Sequence, residues 1–168
     1  MSVFSFPNPV NEKAARVVAG CVVILSLATL MTQQYWFTVF IAAGFVARVA
    51  SGPRFSPLGL LATKIVAPRL GEPRLVPGPP KRFAQAIGAV VTGTAAVTWF
   101  GFGSVLVTTG LLVLIVVAAT LESVFAVCLG CIIFGWLMRA GLVPQETCEA
   151  CNNISLRYDA ATQTEPSH

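Results

Sequence analysis

The stretch VLVTTGLLVLIVVAATLESVFAVCLGCIIFGWLMRAGLV, residues 105–143, decides the fold of this chain. It is apolar over roughly twice the length of about 20 residues that a helix needs to cross the hydrocarbon of a bilayer. Glu122 and Ser123 interrupt it, so we expect one helix before them and a second over Val124–Leu142. The run is continuously apolar, whereas the strands of a membrane barrel alternate, and it therefore predicts membrane helices.

Three further apolar runs extend the pattern along the chain, and they are Ala14–Met31, Gln34–Ala50 and Phe83–Phe102. The 168 residues are 55% hydrophobic and only 11% charged, which is too little polar surface to coat a soluble globule. We therefore predict an all-α integral membrane protein with two helical hairpins and a short fifth helix, or four to five membrane helices in all. Residues 1–152 form its single membrane domain, and the polar tail 153–168 is expected to be disordered.

A basic, proline-rich segment, residues 51–83, separates the two hairpins. Its prolines exclude one continuous helix, but Ser56-Pro57 predicts a short helix over Leu58–Ala67, and Val76–Pro80 predicts a stiff, extended connector. Because Lys and Arg concentrate in cytoplasmic loops, this segment and the amino end are expected in the cytoplasm. Its cations either bind anionic lipid or an acidic partner, or only set the orientation, and they are Arg54, Lys64, Arg69, Arg74, Lys81 and Arg82.

Four of the five cysteines form two identical CxxC frames with sixteen residues between them, Cys128-Leu129-Gly130-Cys131 and Cys148-Glu149-Ala150-Cys151. When the first cysteine of such a pair begins a helix, the unpaired amide groups stabilise its thiolate, and the two sulfurs lie within reach of a disulfide. Two pairs supply donor and acceptor for thiol–disulfide exchange. We expect Cys128 near the start of the last helix, where Gly130 allows the close approach of a partner chain.

The same spacing also suits a zinc site with four thiolate ligands, Cys128, Cys131, Cys148 and Cys151. A third interpretation is a structural role or a static disulfide. The apolar neighbours of the first pair lack the polar turns of a zinc knuckle, so redox chemistry, which needs no cofactor here, is the preferred hypothesis. The fifth cysteine, Cys21, is expected to pack inside the first helix.

Glu122 is the acidic residue of the apolar region. It either accepts the proton of Cys128 when the thiol ionises, or marks an interfacial break between helices. Arg48 and Arg139 are expected to end helices and to reach the lipid headgroups. The basic segment lacks the interleaved aromatic residues of nucleic-acid binding, so no nucleic-acid partner is expected. If Val124–Leu142 re-enters the membrane instead of crossing it, the two CxxC pairs can meet, and we expect this arrangement.

Several short segments carry a family resemblance, and they are Phe6-Pro7-Asn8-Pro9-Val10-Asn11, Gly52-Pro53-Arg54-Phe55-Ser56-Pro57, Pro79-Pro80-Lys81-Arg82-Phe83-Ala84-Gln85 and the two CxxC frames. From Phe6 to about Asn152 the chain resembles a family of bacterial membrane proteins catalogued as domain of unknown function 4395. The resemblance implies a location in the bacterial cell membrane. It also agrees with a thioredoxin-like or sulfurtransferase partner, while the family itself has no assigned activity.

Two functions follow as expectations. The first is a membrane thiol redox protein, possessing the activity of a thiol–disulfide oxidoreductase, which exchanges disulfides between its two CxxC pairs and a thioredoxin-like partner. The second is a non-enzymatic membrane scaffold with a four-cysteine zinc site and a basic loop that docks lipid or a partner. In the first, Cys128, Cys131, Cys148, Cys151 and Glu122 carry the chemistry.

Overall fold

A computed structural model describes residues 10–52, 57–66, 69, 71, 74–76 and 78–142 of the chain. This part is almost entirely helical, as predicted. Its helices in chain order are α1 (Glu12–Thr32), α2 (Thr38–Ser51), α3 (Pro57–Leu61), α4 (Gly78–Phe102), α5 (Val105–Phe125) and α6 (Leu129–Arg139). A 3₁₀ turn over Tyr35–Phe37 leads into α2, and a π-helical turn over Ala62–Val66 continues α3.

Among the described residues, three helices are long and apolar enough to cross a membrane, namely α1, α4 and α5. The stretch Tyr35–Ser51 and helix α6 are apolar but shorter. With 11 residues, α6 extends only about 17 Å, roughly half of the ~30 Å hydrocarbon thickness. The prediction of a short fifth helix is thus confirmed, whereas α2 falls below the length expected of a fourth full span.

The outer surface of the bundle is apolar over much of its area. Large hydrophobic side chains such as Ile24, Phe40, Val90 and Leu106 are more than 60% exposed. In water this amount of exposed apolar surface would be unfavourable, but it matches a lipid environment. The chain is an all-α protein with the surface of a membrane protein.

Helix α1 begins and ends with local signals that its sequence carries. The Asn11 side chain caps it by accepting a hydrogen bond from the Lys13 amide at 3.0 Å, and Gln33 ends it in the left-handed region with φ 54°. The chain then turns back through Tyr35, whose carbonyl accepts a hydrogen bond from the Thr38 hydroxyl at 2.6 Å. This short turn confirms the predicted hairpin between the first two helices.

Helix α4 begins at Gly78, five residues before the predicted Phe83. Pro79 and Pro80 lie in its first turn, where proline is tolerated because the amide groups of a first turn have no carbonyl partner within the helix. The predicted extended connector over Val76–Pro80 is therefore wrong from Gly78 onward. The predicted loop 51–83 ends at α4, and Lys81 and Arg82 belong to this helix.

The amino end of α1 is tied to the basic segment by a two-residue antiparallel ladder. Strand β1 (Val10–Asn11) pairs with β2 (Leu75–Val76), and Val10 lies opposite Val76. Next to the ladder, the Arg74 side chain forms an ion pair with Glu12 at 3.0 Å. The amino end and the basic segment consequently lie at the same end of the bundle, as the distribution of Lys and Arg predicts.

The core lies where α2 packs on α4 and α1 packs on α5. Val22, Tyr35, Ile41 and Leu112 are buried in it. The crossing of α2 and α4 is very close at Gly88, where an added Cβ would lie 2.3 Å from Cε1 of Phe45. Only glycine fits this contact without displacement of the Phe45 ring.

The long apolar stretch 105–143 breaks later than predicted. Helix α5 continues through Glu122 and Ser123 to Phe125, and the chain turns at Ala126, which has a φ of 57°. The predicted break at Glu122 is wrong because this carboxylate is paired inside the bundle and does not need to reach solvent at a helix end.

Candidate functional site

Cys128 lies between α5 and α6 and caps the amino end of α6, as predicted. Its Sγ accepts a hydrogen bond from the Cys131 amide at 3.3 Å. The first amide groups of a helix have no partner within the helix, so the sulfur takes the place that a serine or aspartate oxygen usually fills. The CxxC spacing positions the Cys131 amide for this contact, and the helix dipole favours negative charge on the Cys128 sulfur.

The surroundings of Cys128 lower the pKa of its thiol. The largest cause is a hydrogen bond that the Cys131 thiol donates to the Cys128 sulfur, and the Lys81 charge and the Cys131 amide act in the same sense. Burial and the Glu122 charge oppose them. Since the thiolate is the reactive form of cysteine, this arrangement favours that form at Cys128.

Lys81 and Glu122 form a buried ion pair between α4 and α5. The Nζ atom of Lys81 lies 2.6 Å from Oε1 of Glu122, and the two side chains are only 8% and 15% exposed. Such a pair is favourable when both partners are present, but either charge alone is costly at this depth. The prediction that Lys81 contacts lipid or a partner is therefore wrong, because Glu122 holds the ammonium inside the bundle.

Arg48 on α2 is a further buried charged residue, in addition to Lys81 and Glu122. It is 5% exposed, its Nε donates a hydrogen bond to Oε1 of Gln85 at 2.9 Å, and its guanidinium lies 4.5 Å from the centre of the Phe45 ring. The prediction that Arg48 reaches the headgroups is wrong, since α2 turns this side chain toward α4. Gln85 was missed as a site residue, although an amide inside an apolar run is a signal of a polar contact between helices.

A cavity of about 250 Å³ lies between the helices, and Arg48, Glu122 and Cys128 all line it. Helices α1, α2, α4, α5 and α6 all contribute to its wall, which is apolar over most of its area and includes Val22, Val91 and Ile115. Its polar groups are the side chains of Arg48, Gln85, Glu122 and Cys128. The thiol thus faces an apolar space with a guanidinium, an amide and a carboxylate at its edge.

The formal charges of four side chains sum to zero only when Cys128 is ionised, and these are Arg48, Lys81, Glu122 and Cys128. In their ordinary states, Arg48 and Lys81 carry two positive charges and Glu122 carries one negative charge. A thiolate at Cys128 brings the sum of these four groups to zero. Because net charge is costly inside a bundle, the composition of the group favours the thiolate.

Helix α6 is held against α4 by the glycine of the CxxC frame. A Cβ at Gly130 would lie 2.5 Å from the Cα of Ala84, and the rings of Phe83 and Phe134 contact each other at 5.5 Å. The predicted close approach at Gly130 exists, but the neighbour is α4 of the same chain and not a partner chain. This packing holds the amino end of α6, which Cys128 caps, against α4.

Arg16 stabilises the break that precedes Cys128. Its Nε and Nη2 atoms donate hydrogen bonds to the carbonyls of Ser123 and Val124, each at 3.0 Å. These carbonyls belong to the last turn of α5, where helical partners are missing and a cation is favourable. The sequence indicates only that the amino end, which includes Arg16, belongs in the cytoplasm, and it does not predict this contact.

The other predicted residues lie apart from the cavity. Lys64, Arg69 and Arg74 are exposed on the basic segment, and the Nε atom of Arg82 donates a hydrogen bond to the Val49 carbonyl at 3.0 Å. Cys21 is half-buried on α1, in agreement with a packing role. Arg54, Cys148 and Cys151 lie outside the described residues, so the second CxxC frame and the four-cysteine zinc site stay predictions. Within the part of the chain that is described, no group of three His, Cys, Asp or Glu residues is placed to hold a metal ion.

Comparison with known proteins identifies the family. The family model described as "Domain of unknown function (DUF4395)" matches residues 10–139, which include the first CxxC frame and the residues around the cavity. Comparisons with curated proteins and with solved structures give no match. The match extends over most of the 168 residues. The chain therefore belongs to the DUF4395 family.

Proposed function

We propose that this protein is a thiol–disulfide exchange protein of the bacterial cell membrane. The observation that carries the proposal is the position of Cys128, whose sulfur caps α6, accepts a hydrogen bond from the Cys131 amide and lies close to the Lys81–Glu122 pair. A helix start, a nearby cation and a second thiol two residues further along are the features that activate a cysteine for exchange.

The reaction begins with the Cys128 thiolate, which attacks one sulfur of a disulfide in a thioredoxin-like or sulfurtransferase partner. The partner's disulfide bond breaks, and its second sulfur leaves as a thiolate that takes up a proton. Cys131 then loses its proton and attacks the Cys128 sulfur, which forms the Cys128–Cys131 disulfide and releases the partner as a dithiol. Two electrons thus pass to the partner from Cys128 and Cys131, which we call the inner pair.

Cys148 and Cys151, the outer pair, return the inner pair to its dithiol form by the same chemistry. Cys148 or Cys151 attacks the Cys128–Cys131 disulfide, and the two electrons move inward as the outer pair becomes oxidised. All four cysteines are thereby used without a cofactor, and a second protein dithiol then reduces the Cys148–Cys151 disulfide and is itself oxidised to a disulfide. Glu122 has the role of proton acceptor for Cys128 and passes the proton on to solvent, so that the carboxylate is ionised again while Lys81 stabilises the thiolate that results.

The orientation follows from the distribution of positive charge. The amino end and the basic segment lie at the same end of the bundle as the break that holds Cys128, because Arg16 near the amino end contacts the carbonyls of that break. Since Lys and Arg favour cytoplasmic loops, we place this end and the thioredoxin-like partner in the cytoplasm. The exposed Lys64, Arg69 and Arg74 face the anionic headgroups there.

Trapping of mixed disulfides tests the proposal. Removal of the resolving thiol in Cys131→Ser should leave Cys128 linked to a partner protein or to Cys148 or Cys151, whereas Cys128→Ser should give far less of this product. The products are measured by non-reducing electrophoresis and peptide mapping after rapid acid quenching of cells. If all thiols stay reduced and unlinked in every single-cysteine variant under oxidising conditions, the exchange mechanism is wrong.

A second candidate is a membrane scaffold, which is favoured by the sixteen-residue spacing between the two CxxC frames. In this case the four thiolates hold zinc, and the exposed cations dock lipid or an acidic partner. Metal analysis of purified protein distinguishes the two. About one zinc per chain, lost with a chelator and absent from a variant without the four cysteines, would favour the scaffold.

A further inference from the structure

The cavity beside Cys128 is larger than the exchange reaction requires. A soluble protein partner would approach the thiol from the aqueous end of the bundle, but the cavity extends along the helices to Val91 on α4 and Leu114 on α5. Disulfide exchange with a protein leaves this inner part without a role.

We propose that the cavity binds the headgroup of a membrane quinone, which accepts the electrons of the Cys128–Cys131 pair. This inference rests on the proposed thiol function and names its membrane acceptor. The occupant has to be apolar, planar and soluble in the bilayer, since most of the wall is aliphatic or aromatic. A free oxyanion would be poorly solvated there.

The size of the cavity fits one ring. Its volume of about 250 Å³ lies just below the range of about 300–1,000 Å³ that is usual for drug-sized ligands. A substituted benzoquinone or naphthoquinone headgroup therefore fits, whereas its long hydrocarbon tail has to remain outside. The cavity is partly open, and the exposed apolar helices around it provide a lipid environment for the tail.

The polar edge of the cavity matches the chemistry of quinone reduction. Reduction places negative charge on the quinone oxygens, and the positive charge of Arg48 at this edge stabilises it. Gln85 positions Arg48 through the 2.9 Å hydrogen bond. The Cys128 sulfur lines the same cavity, so electron donor and acceptor share one compartment.

The step balances without any other oxidant or reductant. The S–H bond of Cys131 breaks and one S–S bond forms with the Cys128 thiolate, which releases two electrons and one proton. The quinone takes up the two electrons, this proton and a second proton from water, and its two carbonyl oxygens become hydroxyl groups. The resulting quinol leaves to the bilayer, and the Cys128–Cys131 disulfide is then reduced by a thioredoxin-like partner in its dithiol form. This reduction is the reverse of the exchange that oxidises the inner pair, and it leaves the partner as a disulfide.

Binding is tested apart from redox chemistry. In full-length protein carrying Cys128→Ser and Cys131→Ser, equilibrium binding of a short-tailed benzoquinone should be saturable. Ala118 lines the cavity, and Ala118→Leu fills it without touching the cysteines or charges, so affinity should fall about tenfold or more. The control is Ala96→Leu on α4, at a similarly half-buried alanine outside the cavity wall, which should leave affinity unchanged.

A second measurement uses the reduced protein with all its cysteines, without oxygen. Addition of the quinone should form one Cys128–Cys131 disulfide for each quinol, and Ala118→Leu should slow this reaction while exchange with a thioredoxin-like protein continues. Absence of saturable binding, or equal binding by Ala118→Leu and the control, would overturn the quinone site and leave the exchange function intact. Normal binding without disulfide formation would contradict the acceptor role alone, whereas failure of the parent protein to exchange disulfides with a thioredoxin-like protein would contradict the exchange function.

Discussion

The Lys81 ammonium lies 2.6 Å from the Glu122 carboxylate in the interior of the bundle, and Glu122 lines the same cavity as the Cys128 sulfur. The contact joins α4 to α5, and it combines a residue expected in a surface loop with one expected at a helix break. It determines both how the bundle holds together at this end and which charge the thiol experiences.

Removal of one partner of this pair should destabilise the bundle strongly. Glu122→Gln leaves the buried Lys81 charge without its carboxylate, and we expect a loss of about 3–5 kcal/mol in the free energy of unfolding. The double variant Lys81→Met with Glu122→Leu removes both charges and should recover most of this loss. Denaturant unfolding in one detergent measures both, and equal loss in the single and double variants would contradict a paired role.

The reactivity of Cys128 should depend on pH as its lowered pKa requires. Because the thiolate forms at a lower pH than in a free cysteine, whose pKa is about 8.5, the half-maximal rate of alkylation should lie below that value. Cys131→Ala removes the main hydrogen bond to the sulfur and should move the midpoint upward, whereas Cys131→Ser retains a donor and should move it less. Peptide mapping after timed alkylation with iodoacetamide follows Cys128 by itself.

An unchanged midpoint in Cys131→Ala would show that the Cys131 thiol does not stabilise the thiolate. Lys81→Met provides the complementary comparison, since loss of the neighbouring positive charge should also raise the midpoint. If both variants react as the parent protein does, the activation of Cys128 by its surroundings is wrong.

Gly88 should tolerate no side chain at the crossing of α2 and α4. In Gly88→Ala the new Cβ would lie 2.3 Å from the Phe45 ring, and overpacking of this kind costs typically about 1–3 kcal/mol. Gly93→Ala on the same helix is the matched control, because no atom lies within 4 Å of its Cβ position. The control should be neutral or slightly stabilising, given the better helix propensity of alanine. Equal thermal stability of the two variants would reject this packing.

The cations of the basic segment should set the orientation of the protein. Combined replacement of Arg54, Lys64, Arg69 and Arg74 with Gln should disturb topology or lower membrane yield, because Lys and Arg favour the cytoplasmic side of the membrane. Exchange of Lys for Arg, and of Arg for Lys, at the same positions is the control and should preserve both. Topology is measured with a reporter fused after His168. Normal insertion combined with lost binding to anionic liposomes would favour lipid recognition instead.

The sequence by itself determined the class of the protein and the position of Cys128 at the start of a helix. Apolar runs of membrane length specify helices because unpaired backbone groups are not tolerated in lipid, and this rule needs no tertiary information. The start of a helix at Cys128 is equally local, since the CxxC spacing brings the Cys131 amide to the sulfur. The short turns of both hairpins followed from the few residues that separate consecutive apolar runs, residues 32–34 in the first hairpin and 101–104 in the second.

The surroundings of the thiol were decided only by the tertiary structure. From the sequence, Lys81 is expected in a loop, Arg48 at the lipid headgroups and Glu122 at the end of a helix. The reason is that a charged residue in an apolar run is expected to reach solvent when no partner inside the bundle is known. These residues come from three helices, α2, α4 and α5, and no pattern along the chain specifies that they meet. Packing at Gly88 and Gly130 brings those helices close enough for burial of the charges to become favourable, since only paired charges are stable inside the bundle.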